Sequence, residues 1–423
     1  TEVIVEKCDR ILSKDGLKKL SKEIKKKILE KNSEFASQGM RVLALAYKNI
    51  EIDFNKEEIE KNLIFVSLVL LLDLPRKDAK EAVEECYSAG IRIIMITGDN
   101  PKTAKAIADM VGLKSNGVVI GEELEKMSNE ELEKVLDENV NIFARASPFH
   151  KLRILELLKK KGLKVGMTGD GVNDALAIKK ADVGIAMGVK GSEVAKEASD
   201  IILLDDNFAS IRNAVKEGRK IFENIRKFVL YLFSTNITEI FVVLFFSLFS
   251  TYIVLLPIHL LWINLVTDGL PAISLANDPY RKDIMKGRIK AKMLDKRDLT
   301  FILMTGIILS SLIILEYFIF HLKTQEEIRA IVFSSFVVFE IFKVFVVKSF
   351  ENSLSLDIIK KNKMLIASII STIVLQTFVV YFLPYYFNIV PLSIYDWAMI
   401  FGLGIILFSI GIGVAKVINK INF

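Results

Sequence analysis

MTGDGVNDALAIKKADVGIAMG, residues 167–188, decides how this chain is read. It ends an apolar run, turns on glycines, and sets Asp170 and Asp174 four residues apart. A second TGD, at 97–99, follows the apolar run IRIIMI. Glycine lets backbone approach an anion closely, and free N–H groups at a helix start favour phosphate. A carboxylate in that place repels phosphate unless a cation lies between them. Asp170 and Asp174 therefore suggest Mg²⁺, which binds one or two carboxylates plus phosphate oxygens. Lys151, at the helix start in SPFHKLR, adds a positive charge. The plain alternative is a doubly wound domain with aspartates in its turns.

Around that stretch, residues 1–210 read as soluble α/β. A Lys/Glu-rich helix over 17–38 precedes a strand in GMRVLALAYKNI, and LIFVSLVLLLD (63–73) is a buried strand too short to span a bilayer. Helices over 77–89, 101–111 and 149–161 alternate with strands at 91–97, 141–146, LKVGMTGD, DVGIAMG and DIILLDD. This alternation predicts a parallel sheet covered on both faces, with ligands at the carboxyl ends of its strands.

The second half changes solvent. Apolar stretches near 228–248, 252–276, 299–320, 328–347, 364–384 and 394–415 each reach about the 20 residues a helix needs to cross hydrocarbon. The loops 277–298 and 348–363 are rich in Lys and Arg, whereas 249–257 and 385–393 hold neither. The positive-inside rule then puts the soluble half and the C-terminus in the cytosol, with six helices between. The first helix is expected to begin near Phe208 and to connect the soluble part mechanically to the bilayer.

Composition agrees with a divided chain. Mean hydropathy is +0.38, while 26% of the 423 residues are charged. The net charge of +6 follows from basic loops and does not call for nucleic acid. Two cysteines, Cys8 and Cys86, suggest no disulfide framework. The chain opens without Met or a signal pattern, so a fragment is expected.

Ionisable residues inside spans are costly and point to function. Asn236 and Glu239 are three apart on one helix face. Asn264, Thr267 and Asp268 share another, and Gly269 and Pro271 are expected to break that helix and free carbonyls. Glu340 sits in the middle of its span. These are hard oxygen ligands, suited to Ca²⁺ and not to a soft metal. Isolated Asn or Thr residues also serve as interhelical hydrogen-bond partners. Lys343, one turn from Glu340, is placed to pair with that carboxylate, which leaves one ion per cycle open. Glu316 is expected to be structural or interfacial.

The strings TGDN (97–100), FARASPFHKLRI (143–154), MTGDGVNDALAIKKADVGIAMG, GSEVAKEASDIILLDDNF (191–208) and LLWINLVTDGLPAISLANDP (260–279) resemble P-type ATPases of the calcium-pump type. The resemblance spans essentially the whole chain. It implies an α/β haloacid-dehalogenase-like (Rossmann-like) cytosolic domain plus an all-α bundle of six transmembrane helices. Residues 1–72 would belong to the nucleotide-binding domain, 73–212 to the phosphorylation domain, and 213–423 to the membrane domain. Thr97, Gly98, Asp99, Lys151, Asn173 and Asp174 would be catalytic, and Arg41 and Arg145 would contact nucleotide. Asp170 would ligand Mg²⁺. Asn236, Glu239, Thr267, Asp268 and Glu340 would form one Ca²⁺ site, and Asn264 with Asp268 part of a second. The implied activity is ATP-driven Ca²⁺ export through a phospho-aspartate. The alternatives are another cation, Mn²⁺ or Na⁺, or a truncated regulatory membrane module.

The family's Asp-Lys-Thr-Gly-Thr and Thr-Gly-Glu strings do not occur here. The chain is therefore expected to be a C-terminal half that does not turn over alone and that partners with an N-terminal half of the same pump. Lipid, ATP and cations are the other partners expected, with no obligate further subunit. The membrane is bacterial plasma membrane or an internal eukaryotic one.

Overall fold

The computed structural model describes residues 1–423 except 15, 38–39, 51–58, 72–73, 251–252, 280, 282, 288–291, 352–353, 356–359 and 422–423, and leaves out the side chain of Arg41. The chain forms two compact units, Thr1–Ala214 with Met285–Arg288, and Val215–Ile284 with Ile289–Phe423.

The first unit begins with a four-stranded mixed sheet. Its order is Gly16–Lys19, Cys8–Ser13, Leu63–Leu71, Arg41–Tyr47, with only the central pair parallel. The helix expected over 17–38 is therefore shorter, Lys22–Ser37, because residues 16–19 pair with Cys8–Ser13 instead. Val5, Cys8, Leu20 and Phe65 form the core beneath it.

Two three-stranded parallel sheets follow. One runs Met95–Ile96, Ile142–Ala144, Val119–Ile120; the other runs Gly166–Gly169, Val183–Met187, Ile201–Leu203. Only Met95–Ile96 of the strand expected over 91–97 joins a ladder. Arg92 instead donates to the Asn141 side chain and to the Val140 carbonyl, so a side chain does the work of ladder bonds there. Strand Ile142–Ala144 is fully buried: Ile142 and Ala144 pack with helix Pro101–Met110, and Phe143 packs with helix Pro148–Lys160 and with Leu124, Leu132 and Leu136. The helices carrying those leucines, Gly121–Lys126 and Asn129–Asp137, were not anticipated. The second starts on a capping box: Ser128 accepts from the Glu131 N–H and the Glu131 carboxylate accepts in return.

The second unit is a helical bundle. Six helices are long and apolar enough to cross a membrane: Phe208–Phe249, Pro257–Ala276, Lys296–Ile319, Gln325–Phe350, Lys363–Phe382 and Ile394–Lys420. The first is one unbroken element of 42 residues, starting at Phe208 as expected. Gln325–Phe350 is buried along nearly its whole length, so it is the core helix of the bundle. Helix Ile394–Lys420 lies close against it because Gly411 has no Cβ; one built there would stand 2.7 Å from the Val346 side chain.

One end of the bundle is fastened by Asp278. Its carboxylate accepts from Lys227 at 2.8 Å, from Lys348 at 2.5 Å and from Asn362 at 3.0 Å. Burial pushes this carboxyl up, but the two ammonium groups outweigh that and hold it below the ordinary aspartate range.

The span Pro257–Ala276 corrects one expectation. It does not break at Gly269 and Pro271. It widens into a π-turn over Ile263–Thr267, with the Asp268 N–H donating to the Ile263 carbonyl at 2.8 Å, and resumes as α-helix at Gly269. Proline collides with the carbonyl four residues before it, which for Pro271 is Thr267. The π-turn sits against that carbonyl and absorbs the conflict within a continuous helix.

Candidate functional site

Two groups of chemically capable residues stand out, one in each unit.

In the first unit, Thr97, Gly98 and Asp99 leave strand Met95–Ile96 as an exposed turn. The Thr97 hydroxyl donates to the Asp99 carboxylate at 2.9 Å and accepts from the Asp99 N–H at 3.1 Å. The neighbouring loop is tied on by backbone bonds, Arg145 N–H to the Asp99 carbonyl and Ala146 N–H to the Thr97 carbonyl, each at 2.9 Å. Arg145 holds φ of 48°, a left-handed conformation uncommon for a side-chain-bearing residue, and its side chain is exposed. Next to it, Ser147 caps helix Pro148–Lys160 in a box with His150. Burial holds the His150 imidazole below its ordinary range.

Lys151 lies in the first turn of that helix and donates to Asp174 at 2.6 Å. Asp174 is buried, whereas Asp170 and Asn173 on the same loop are exposed. Asp170 is anchored through its backbone, its carbonyl accepting from the Ser192 N–H at 2.8 Å. Gly169 makes the loop feasible: a Cβ there would lie 2.5 Å from the Asp174 Cβ. The structure thus joins Thr97 to Asp99, and Lys151 to Asp174, and leaves Asp170 and Asn173 open to solvent. Arg41 begins a strand, and its side chain lies outside the described residues.

In the second unit, the π-turn presents Thr267 and Asp268 to the buried side of the span. Thr267 donates to Glu340 at 3.3 Å, and the Tyr231 hydroxyl donates to Asp268 at 3.3 Å. Asn264 donates to Glu239 at 2.9 Å. Three spans therefore contribute to one polar cluster. Asp268 and Glu340 are each 1% exposed, and one oxygen of each has no hydrogen-bond partner. Asn236 and Asn264 are exposed, and Glu239 is partly so. Among the described residues, no three His, Cys, Asp or Glu side chains lie close enough to hold a metal ion by themselves.

Tyr231 and Thr235 were missed as members of this cluster; Lys343 was expected there, paired with Glu340, and instead donates to Thr235. The signal was available, since Tyr231, Thr235 and Glu239 recur at intervals of four along one helix face. Glu316 is fully buried, and both of its carboxylate oxygens lack partners.

The chain resembles known proteins along its length. Residues 252–418 match the family "Cation transporting ATPase, C-terminus", and residues 1–78 match "P-type ATPase, cytoplasmic domain N". The chain is 39% identical over 421 residues to a calcium-transporting ATPase of Bacillus subtilis, a match covering 96% of the chain and 47% of that protein. It is 42% identical over 323 residues to calcium-transporting ATPase 1 of Bacillus cereus, covering 74% and 36%. It is also 40% identical over 332 residues to the sodium/potassium-transporting ATPase subunit alpha-1 of Oreochromis mossambicus, covering 70% and 32%. The chain spans less than half the length of each of these relatives.

Two expectations are corrected by these matches. The chain is not a C-terminal half only, because residues 1–78 carry a cytoplasmic domain N match alongside the C-terminal one. The same match removes the expectation of a separate N-terminal half as partner. From the soluble N-domain match to the last span, the chain belongs to the P-type ATPase family.

Proposed function

We propose that this chain serves ATP-driven cation transport through a phospho-aspartate, with Ca²⁺ exported from the cytosol as the transported ion. One observation carries the reading: Asp268 and Glu340 are fully buried in a membrane bundle with carboxylate oxygens left unpartnered beside a π-turn. An unpaired buried carboxylate costs several kcal/mol, roughly, unless a cation or proton answers it. Oxygen donors alone, from carboxylate, amide and hydroxyl, suit a hard cation. The relatives named as calcium-transporting support Ca²⁺. The sodium/potassium-transporting relative keeps a monovalent cargo as the second reading.

In the soluble unit, each residue has work it is placed to do. Lys151 holds a positive charge beside the loop and neutralises phosphoryl oxygens, while Asp174 fixes its position. Thr97 offers a hydroxyl and Asp99 orients it. The exposed Asp170 on a glycine turn, with its solvent-facing neighbours, fits Mg²⁺, which keeps several waters and takes few carboxylates. That ion, when bound, supplies charge neutralisation between phosphate and protein. Arg145 and Arg41 would contact the nucleotide. Phosphoryl transfer needs positioning and electrostatics from the protein more than covalent machinery.

The test is phosphoenzyme formation from labelled ATP in native membranes, with and without calcium. In the complete protein, a calcium-dependent, acid-stable phosphoenzyme that disappears in Asp268→Asn is the expected result. A phosphoenzyme indifferent to calcium would remove Ca²⁺ as the cargo. Unchanged calcium dependence in Asp268→Asn would sink the site assignment.

A further inference from the structure

Lys343 is fully buried on the core helix Gln325–Phe350. Its position on the same helix as Glu340, one turn away, would let the two pair locally. The structure instead sends the ammonium across the bundle to the Thr235 hydroxyl of the first span. There it stands over the Tyr231 ring, 4.2 Å from its centroid, a cation–π contact that suits a desolvated charge. The charges acting on it are the carboxylates of Asp268, Glu340 and Glu239, from three different spans. Tyr231 also donates to Asp268, so one side chain touches both the ammonium and a carboxylate. This is the coordination of an ion by a hydroxyl, an aromatic face and surrounding carboxylates, with the ion attached to the chain.

We propose that the Lys343 ammonium is a resident monovalent cation of the membrane site, which fixes its capacity at one divalent ion. The inference deepens the transport reading and rests on it. Three carboxylates, Glu239, Asp268 and Glu340, with one ammonium leave a deficit of two positive charges. A single divalent cation closes that deficit and makes the set neutral. A second divalent ion would leave the cluster strongly positive inside a medium that penalises net charge. Asp268 and Glu340 still have one unpartnered oxygen each, so donors remain for the transported ion while the lysine is in place.

The proposal predicts what happens when the ammonium is removed and its volume kept. Lys343→Met leaves a deficit of three charges, which one divalent and one monovalent cation together fill. Radioactive Ca²⁺ binding to the purified full chain in lipid nanodiscs reads this out at fixed ionic strength, in choline, Na⁺ or K⁺. The chain itself should bind one Ca²⁺ and be indifferent to the monovalent ion. Lys343→Met should bind Ca²⁺ with an affinity that differs at least about tenfold between choline and Na⁺ or K⁺, because a small cation can take the place of the ammonium and choline cannot. Lys343→Arg keeps a fixed charge and should behave like the chain itself. If Lys343→Met fails to fold, the stoichiometry of the unaltered chain and of Lys343→Arg still decides.

Two Ca²⁺ per unaltered chain would overturn the resident-cation role and leave the transport reading standing. So would a Lys343→Met variant as indifferent to the monovalent ion as the unaltered chain. No Ca²⁺ binding by any form, with Asp268→Asn indistinguishable from the rest, would overturn the site reading and this inference with it.

Discussion

The chain contains the same ion pair in two settings. Lys151 and Asp174 meet at 2.6 Å in the soluble unit, with side chains 19% and 8% exposed. Lys348 and Asp278 meet at 2.5 Å in the bundle, and neither is exposed at all. The first pair lies beside a loop whose other polar side chains, Asp170 and Asn173, face solvent. The second is surrounded: Lys227 and the Asn362 side chain bond the same carboxylate, and the Asn224 side chain bonds the Asp278 carbonyl. Burial converts an optional contact into an obligatory one, because a charge removed from water must be matched on every side. An open pair can exchange partners. A closed one is a fastening.

The sharpest way to break this contrast is to delete the acid on the buried side. Asp278→Ala strands two buried ammonium groups and should cost about 3–5 kcal/mol. Lys151→Ala leaves a single carboxylate short of a partner, where Asp278→Ala strands two ammonium groups, and should cost less, about 1–3 kcal/mol. Thermal unfolding of the full chain in detergent, followed by tryptophan fluorescence and by protease access to the soluble unit, measures both. Equal losses would show that burial does not separate the two pairs.

A smaller effect tests how tightly the open loop is built. Gly169→Ala places a methyl where the Asp174 side chain lies, 2.5 to 2.8 Å away. Overpacking of that kind typically costs about 1–3 kcal/mol. Asp174 must give way, and its bond to Lys151 lengthens with it. The same substitution at Gly218, where a Cβ would meet nothing within 4 Å, should not destabilise the chain. A Gly169→Ala melt as high as that of Gly218→Ala would mean the loop is slack, and Asp174 is then not held for Lys151.

How much of this was legible in the sequence divides along the same line. The six spans were readable because hydrocarbon demands unbroken apolar length, and each appears close to its expected limits. The TGD and GDGVND turns were readable because exposed loops declare their chemistry in residue type. The π-turn was not, since Gly269 and Pro271 announce a conflict in the helix but not how packing resolves it. Nor was the reach of Lys343 to Thr235, which depends on how two distant spans are set side by side. The short strand at Met95–Ile96 escaped for a related reason: the Arg92 bonds come from a neighbour 49 residues away. Helix Asn129–Asp137 is different, because the SNEE of its capping box was on view and was passed over.

The smallest expected effect is one of pH, and it lies beside the open pair. His150 is 3% exposed, and its Nδ1 accepts from the Ser147 N–H at 3.1 Å, which requires the neutral ring. Burial, with Arg153 assisting and Glu125 opposing, lowers its pKa below the ordinary 6.5. Between the folded and unfolded values the unfolded chain then binds more protons, so stability rises with pH. The contribution is complete above about pH 6.5 and is lost as pH falls below it. His150→Gln keeps an acceptor for the Ser147 N–H, as capping boxes commonly do, and cannot titrate in that range. The melting temperature of the soluble unit within the full chain should therefore fall less between about pH 7.5 and 5.5 in the variant than in the parent. Identical slopes would mean that the imidazole takes up its proton without leaving the cap, and the first turn bearing Lys151 would then be insulated from pH.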